Sequence, residues 1–376
     1  MQFDPRPVKE SFALIEPAAA RATAYFYGRL FAAHPHLRAL FPPAMNVQRE
    51  RLFRALTRIV WSLDCPQGLA TDLARLGRDH RKYGVAPAHY AAVGDALLAT
   101  VRRFAAEAWS PEMERAWATA YATAAEIMTE AAAADTSPPW WPAEVIGHER
   151  RTGDIAVLTL RPALPFPFLP GQYATVQTAR WPRVWRAFSI ANAPREDNTL
   201  RLHVRAVPGG WVSTALTRGT RVGDTLMLGP ARGSMIAPAA SGRDILAVAG
   251  GTGLAPLKAI IESVLTEEAT GPEDRRPHIH LLYGARNGGE LYDLPDLIRM
   301  RAHHARLRVL PVVSGDHAYE GLRGTLPEVI GDFPSWRDHD AFLCGPPAMV
   351  GKAAQRLRQD GLPPVRIHHD HHPTDP

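Results

Sequence analysis

Leu246-Ala-Val-Ala-Gly-Gly-Thr-Gly-Leu-Ala-Pro256 runs an apolar strand into a glycine turn and then into the helix-forming stretch 257–265. That order aims the free N–H groups of a helix start at whatever lies above the turn, which suits a dinucleotide phosphate. The candidate contacts are Gly250, Gly251, Thr252, Gly253 and Pro256. Strand-like runs recur at 245–249, 279–283, 308–313 and 341–344, each followed by a loop and a helical stretch. Residues 239–376 are therefore expected to form an α/β Rossmann-like domain on a parallel sheet. Ala341-Phe-Leu-Cys-Gly-Pro-Pro-Ala-Met349 repeats the strand-turn-helix order and offers Cys344, Gly345 and Pro346. Between the two loops, Arg286 follows Leu282-Tyr-Gly-Ala and can reach a phosphate or a ribose. A plain structural turn competes with any one of these strings, and their position between strand and helix favours the ligand reading.

Upstream, Ile155-Ala-Val-Leu-Thr-Leu160, Tyr173-Ala-Thr-Val176 and Leu200-Arg-Leu-His-Val204 are short β-like runs parted by turn residues. They predict a small antiparallel barrel over 143–238. It carries Arg186-Ala-Phe-Ser189 shortly after Pro170-Gly-Gln-Tyr173, and then Gly209-Gly-Trp-Val-Ser-Thr214. Arg186 can pair with a pyrophosphate, Phe188 and Tyr173 can flank a flat ring, and Ser189 can bond its heteroatoms. Gly210, Ser213 and Thr214 let backbone N–H groups approach phosphate. Further upstream, Asp135-Thr-Ser-Pro-Pro-Trp-Trp-Pro142 reads as a linker. Residues 1–134 are alanine-rich, with apolar residues three and four apart, and predict an all-α domain of six or seven helices. The expected helices cover 18–33, 46–63, 68–82, 87–108 and 111–134.

Composition narrows the function classes. The chain has 376 residues, 46% hydrophobic and 22% charged, which suits a soluble multidomain protein. It has no apolar run long enough to span a membrane, and its first ten residues lack the apolar stretch of a secretory signal. The two cysteines, Cys65 and Cys344, exclude a disulfide framework and point to a reducing cytoplasm. The net charge of +5 is carried by scattered arginines, and only Lys9, Lys82, Lys258 and Lys352 are lysines. No nucleic-acid motif accompanies them, so neither a nucleic-acid nor a membrane partner is expected.

With its motifs in this order, the part from about Trp141 onward resembles the ferredoxin–NADP reductase superfamily. The resemblance implies FAD in the barrel, NADH or NADPH in the α/β domain, and hydride transfer between them. It places Cys344 near the point where nicotinamide meets flavin. Reductases of this kind often end in an aromatic ring stacked on the flavin, within a string such as Ile-His-Tyr-Asp-x-Phe. Here the string is Ile367-His-His-Asp-His-His372, so His372 stands for that ring and Asp370 is a candidate for tuning flavin potential. No CxxxxCxxC spacing provides an iron–sulfur acceptor.

The helical part offers an acceptor instead. Ala24-Tyr-Phe-Tyr-Gly-Arg-Leu-Phe31, His34-Pro-His-Leu-Arg-Ala-Leu-Phe41, Gln48 with Leu52, Arg78-Asp-His-Arg-Lys-Tyr-Gly-Val85 and Pro87-Ala-His-Tyr90 together resemble the globin domain of the flavohemoglobin family. That resemblance implies haem b with His80 as the iron ligand. Tyr27, Gln48 and Leu52 fall on the opposite face of the haem, and Phe41 lies against the porphyrin. It also implies that Tyr90 bonds the iron-bound histidine. The family's glutamate partner falls near Ala132, with Glu126 and Glu130 out of register. The implied function is nitric oxide dioxygenation, with O2 and NO as substrates and electrons passing from NAD(P)H through FAD to haem. The alternatives are a reductase serving a separate oxygenase, or a gas-sensing globin that gates its reductase. A monomer is expected. NADH is favoured over NADPH because no 2′-phosphate pocket is evident near Arg286.

Overall fold

A computed structural model describes residues 3–236, 241–268, 277–333 and 335–370. The chain divides into two compact units, one ending at Pro139 and the other beginning at Trp140.

The first unit is helical. Its α-helices are α1 (Arg6–Ile15), α2 (Ala19–Ala33), α3 (Asn46–Trp61), α4 (Pro66–His80), α5 (Pro87–Ala105) and α6 (Pro111–Ala134). Proline stands in the first turn of α1, α4, α5 and α6, where its missing N–H costs no hydrogen bond. Ser110 caps α6 by accepting from the Met113 N–H at 3.2 Å. The core gathers Val8, Phe12, Leu30, Leu37 and Trp117. Trp117 Nε1 donates to Ser11 Oγ at 2.8 Å and ties α6 to α1. Where α4 crosses α6, a Cβ on Gly77 would lie 2.2 Å from the Met128 carbonyl oxygen, so only glycine admits this approach.

Two boundaries differ from expectation. The helix predicted to reach residue 108 ends at Ala105, because Ala106 adopts φ 47°. The stretch predicted as linker to residue 142 is shorter. Trp141 and Pro142 already pair with Leu228 and Met227 in strand β1, since the Trp141 ring buries against Phe166 at 5.2 Å. The preceding residues are anchored too: Arg81 pairs with Asp135 at 2.8 Å and donates to the Ser137 carbonyl at 2.6 Å.

The second unit opens with antiparallel strands β1 (Trp141–Arg150), β2 (Ile155–Pro162), β3 (Tyr173–Thr178), β4 (Arg186–Ser189), β5 (Leu200–Arg205) and β6 (Thr225–Leu228), with a short helix α7 (Trp211–Thr214). Their order is β4-β3-β6-β1-β2-β5, and a bridge between Ile190 and Leu202 closes the ends into a barrel. Val145, Leu158, Leu160, Val176, Leu200 and Leu228 fill its interior.

The α/β layer follows, with β7 (Asp244–Gly250), α8 (Leu254–Glu268), β8 (Ile279–Ala285), α9 (Leu294–His303), β9 (Leu307–Val313), β10 (Leu322–Arg323), α10 (Leu326–Gly331), β11 (His339–Cys344), α11 (Pro347–Gln359) and β12 (Ile367–His368). All neighbours in the order β10-β9-β8-β7-β11-β12 are parallel. Along β7, Ala247 and Ala249 face one apolar layer while Leu246 and Val248 face the other, as a sheet covered on both sides requires. The order reverses between β7 and β11, and such a switch point is where open α/β sheets bind ligands.

Barrel and α/β layer meet through a buried polar set. Arg151 of the barrel pairs with Asp296 at 3.1 Å and His203 Nδ1 lies 2.8 Å from Tyr292 Oη, while Lys258 and Asp293 pair beside them at 2.6 Å within the α/β layer. Burial, with Lys258, Arg151 and Arg201 nearby, holds the His203 imidazole well below its ordinary value. His280 and His339 are lowered by burial as well. The folded state thus refuses protons that the unfolded chain accepts below about pH 6.5, so stability falls as pH falls through that value. The slope approaches about 1.4 kcal/mol per pH unit for His203 alone. Thermal melts should show Tm falling from pH 7.5 to pH 5.5, with a shallower slope in His203→Gln. A Tm independent of pH over that range would refute the assignment.

Candidate functional site

In the helical unit, α4 ends in His80. Its Nδ1 lies 2.8 Å from the Leu76 carbonyl oxygen, which places the proton on Nδ1 and leaves the Nε2 lone pair for a metal. Burial lowers the His80 pKa, so the ring is the neutral form that ligation needs. A separate group forms where α2 meets α3. Gln48 Nε2 donates to Tyr27 Oη at 3.2 Å, which leaves the phenol O–H free to donate elsewhere. Burial pushes the Tyr27 phenol up to about 12, so it keeps its proton at neutral pH. Phe41 packs edge-on against Tyr27 at 5.5 Å and against Phe31 at 5.3 Å. Leu52, one turn beyond Gln48, lines an apolar cavity of about 20 Å³ with Phe26, Leu56 and Leu97.

Tyr27 thus touches both Gln48 and Phe41. Tyr90 lies near the start of α5. Its backbone carbonyl accepts from Tyr121 Oη at 2.6 Å, and no hydrogen bond among the described residues joins it to His80.

In the barrel, β3 and β4 set Tyr173 directly opposite Ser189, Ala174 opposite Phe188 and Val176 opposite Arg186. Four residues far apart in chemistry are gathered here by one antiparallel register. Asp370 joins them from the tail. Its Oδ1 accepts from the Ser234 and Met235 N–H groups at 3.2 Å each, and its Oδ2 comes to 2.8 Å from where a Gly233 Cβ would stand, beside the Tyr173 ring. Gly210 caps the short α7, and Ser213 Oγ donates to the Gly210 carbonyl at 3.2 Å, with Thr214 following. His372 lies outside the described residues. His368 pairs in register with Phe342 and stacks on it at 4.7 Å.

The two glycine loops meet at the switch point. Ala249 and Cys344 are register partners at the ends of β7 and β11. A Cβ on Gly253 would lie 2.3 Å from the Cys344 carbonyl oxygen and 2.7 Å from the Gly345 nitrogen. A Cβ on Gly250 would stand 2.9 Å from Met349 Cε and 3.0 Å from Pro346 Cδ, a looser fit against side-chain atoms. Thr252 completes the turn, and Pro256 lies in the first turn of α8. Burial pushes the Cys344 thiol up to about 12, so it stands at the site as a neutral thiol. Arg286, just past β8, is exposed and paired with Glu290 at 3.1 Å.

Sequence reasoning missed several polar residues of this unit: Arg205, His203, Lys258, Asp293 and Glu290. None belongs to a motif, and their partners come from other strands or helices, so no local signal marks them.

The residues fit the three groups that such a chain would carry. A neutral histidine with a fixed tautomer, bonded among the described residues to the Leu76 carbonyl, suits haem iron. An aromatic, a serine and an arginine on paired strands suit a flavin nucleotide. Two glycine loops that no side chain could replace suit close backbone approach to a dinucleotide.

Comparison with known proteins agrees with this division. The globin family matches residues 24–128, the oxidoreductase FAD-binding domain 142–235, and the oxidoreductase NAD-binding domain 247–355. A flavohemoprotein of Chromobacterium violaceum is 28% identical over an alignment of 407 residues, covering 98% of each chain. The reductase component of a naphthalene 1,2-dioxygenase system from Pseudomonas putida is 35% identical over 228 residues, 60% of this chain and 67% of its own length. The crystal structure of a flavohemoglobin from Malassezia yamatoensis with bound FAD and heme superposes with a TM-score of 0.75 at 19% identity, covering 97% of this chain and 98% of that one, a likeness of fold.

Proposed function

Because this chain belongs to the flavohemoprotein family, in which a globin is fused to FAD- and NAD-binding oxidoreductase domains, we propose that it is an NADH-dependent nitric oxide dioxygenase. When bound, the cofactors supply the chemistry: the dinucleotide gives hydride, FAD parts it into single electrons, and haem uses one electron to turn one NO and one O2 into nitrate. The residues hold, orient and exclude water. His80 Nε2 would hold the iron, with the Leu76 carbonyl fixing the ring through Nδ1. With haem bound, Tyr27 would donate toward the substrate side with Gln48 orienting its phenol, Leu52 would keep that side apolar and Phe41 would pack against the porphyrin. Tyr90 stands beside α6 as a positioning residue. In the reductase, Tyr173, Arg186, Phe188, Ser189, Gly210, Ser213, Thr214 and Asp370 hold the flavin nucleotide. Gly250, Gly251, Thr252, Gly253, Pro256, Cys344, Gly345 and Pro346 hold the dinucleotide. Glu290 occupies Arg286 at the end of β8, and an acidic group there favours a ribose hydroxyl over a 2′-phosphate.

The observation that carries this reading is the Tyr27–Gln48 bond, whose direction leaves the buried phenol proton free. The test is stoichiometry. NADH, NO and O2 supplied together should yield two nitrates per NADH, and consumption of O2 without nitrate refutes the dioxygenase. Tyr27→Phe keeps the ring and removes the donor. It should lower the NO-dependent rate by about 10- to 100-fold, with haem content and NADH–ferricyanide reduction unchanged. A wild-type rate would remove Tyr27 from the mechanism. A second acceptor, a separate oxygenase, is supported by the higher identity of the reductase half to an oxygenase reductase. The chain acts as a monomer in this reading.

A further inference from the structure

His280 and His339 stand on strands separated by a third, yet their ring centroids are 5.6 Å apart, inclined at 57°. The strand between them is β7: His280 of β8 pairs with Leu246, and His339 of β11 pairs with Asp244. Every second residue of a strand shares a face, so both rings belong to the face of Leu246, Leu282 and Ala341. Neighbouring strands lie about 4.8 Å apart, so the two backbones are about 10 Å apart and the rings lean together over β7. Buried Trp336 closes the group, its ring 5.5 Å from that of His280 and 4.9 Å from that of His339. The cluster occupies the N-terminal edge of the parallel sheet, the end opposite the switch point.

Both ring nitrogens of His339 and Nδ1 of His280 are buried with no hydrogen-bond partner among the described residues. Each imidazole nitrogen carries either a proton or a lone pair, and burying it unpaired is costly. Trp336 cannot relieve them, because its Nε1 already donates to the Ile330 carbonyl at 3.0 Å. Burial lowers the pKa of both rings, so near neutral pH each keeps a lone pair for a ligand. The carboxylates of Asp244, Asp338 and Asp340 act on His339 in the other sense and favour a cation there. Arg308, the β9 partner of His280, opposes one from the far side. The spacing also fits. An imidazole nitrogen stands about 1.1 Å from its ring centre and about 2.1 Å from a bound zinc, so two rings sharing a tetrahedral ion have centres about 5.2 Å apart. Among the described residues no group of three His, Cys, Asp or Glu side chains could hold a metal, so the other positions fall to water.

We propose that His280 and His339 together bind one divalent transition cation of the zinc class, which joins β8 to β11 across β7. Imidazole suits such ions, whereas magnesium and calcium require oxygen ligands. The site does not depend on the haem, flavin or dinucleotide readings, because none of their residues takes part.

The test is calorimetric titration of the full-length, haem- and flavin-loaded protein with zinc chloride after dialysis against a chelator. Wild type should show a saturable site that His339→Gln and His280→Gln each weaken by at least about 10-fold. His339→Cys should keep it, since a thiolate also binds zinc, and this variant separates ligation from disturbed packing. Zinc should raise the Tm of wild type and of His339→Cys and leave both glutamine variants unmoved. Magnesium should have no such effect on any of them. Zinc taken up by the histidines near the C-terminus is common to all four proteins and cancels in the comparison. Equal zinc affinity in wild type and both glutamine variants overturns the assignment, and so does a wild type that binds no zinc. Loss of the site in His339→Cys as well as His339→Gln also overturns it, since the pair then only packs against Trp336.

Discussion

His80→Ala should abolish the Soret band and NO-dependent nitrate formation while NADH–ferricyanide reduction stays within about two-fold of wild type. The expectation follows from the division of the chain. His80 belongs to the helical unit, and the strands and loops that would hold FAD and dinucleotide belong to the other. The Nδ1–Leu76 bond identifies His80 as the ring whose free nitrogen is ready for a metal. Removing it deletes the only protein–iron bond in the proposed site, and no neighbour replaces it. Tyr83, whose ring lies 6.3 Å from that of His80, offers a phenol and no imidazole nitrogen. Electron entry from NADH to a soluble acceptor does not need haem, so ferricyanide reduction reports the reductase alone. A His80→Ala protein that keeps its Soret band would place the ligand elsewhere. One that loses ferricyanide reduction in parallel would show that the two halves do not fold independently.

Gly253→Val should have the complementary effect: NADH oxidation falls about 10- to 100-fold while the Soret and flavin absorption persist. The added Cβ would stand 2.3 Å from the Cys344 oxygen and 2.5 Å from its carbonyl carbon. These are backbone atoms of a buried strand paired through six registers with β7, so they cannot swing aside as a side-chain tip would. The strain must be relieved by parting the two loops, which opens the crevice at the switch point. Overpacking of this kind costs about 1–3 kcal/mol in a well-packed core. Each 1.4 kcal/mol of that strain expressed at the site is a factor of ten in binding. A Gly253→Val protein oxidising NADH within three-fold of wild type would refute the close approach of these loops as the dinucleotide site.

Local signals carried much of this. The strand-turn-helix at 246–256 appears in the structure as β7, a tight turn and α8, because an apolar run followed by glycines has few other ways to fold. Helix α6 spans Pro111–Ala134 as expected, since Ser110 caps it and proline opens it. Where expectation slipped, the cause was a partner in another part of the chain. Trp141 looked like the end of a linker rich in proline, but its ring is buried against Phe166, and burial pulled the backbone into β1. Asp370 reads from the tail as a candidate for tuning flavin potential, and its two backbone N–H donors come from the 234–235 segment, which no local pattern shows.

The sequence by itself determined three segments of different periodicity, the glycine turns and the cluster of residues that a globin and a flavin reductase need. Those features depend on the local spacing of apolar, small and proline residues, which the chain displays in order. Only the tertiary structure decided that Gln48 donates to Tyr27, that the loops of β7 and β11 flank one switch point, and that Arg205 lies over Gly251. Each of these joins residues through hydrogen-bond direction or backbone approach between elements distant in sequence. Such contacts are set by strand order and helix crossing, which no local pattern encodes.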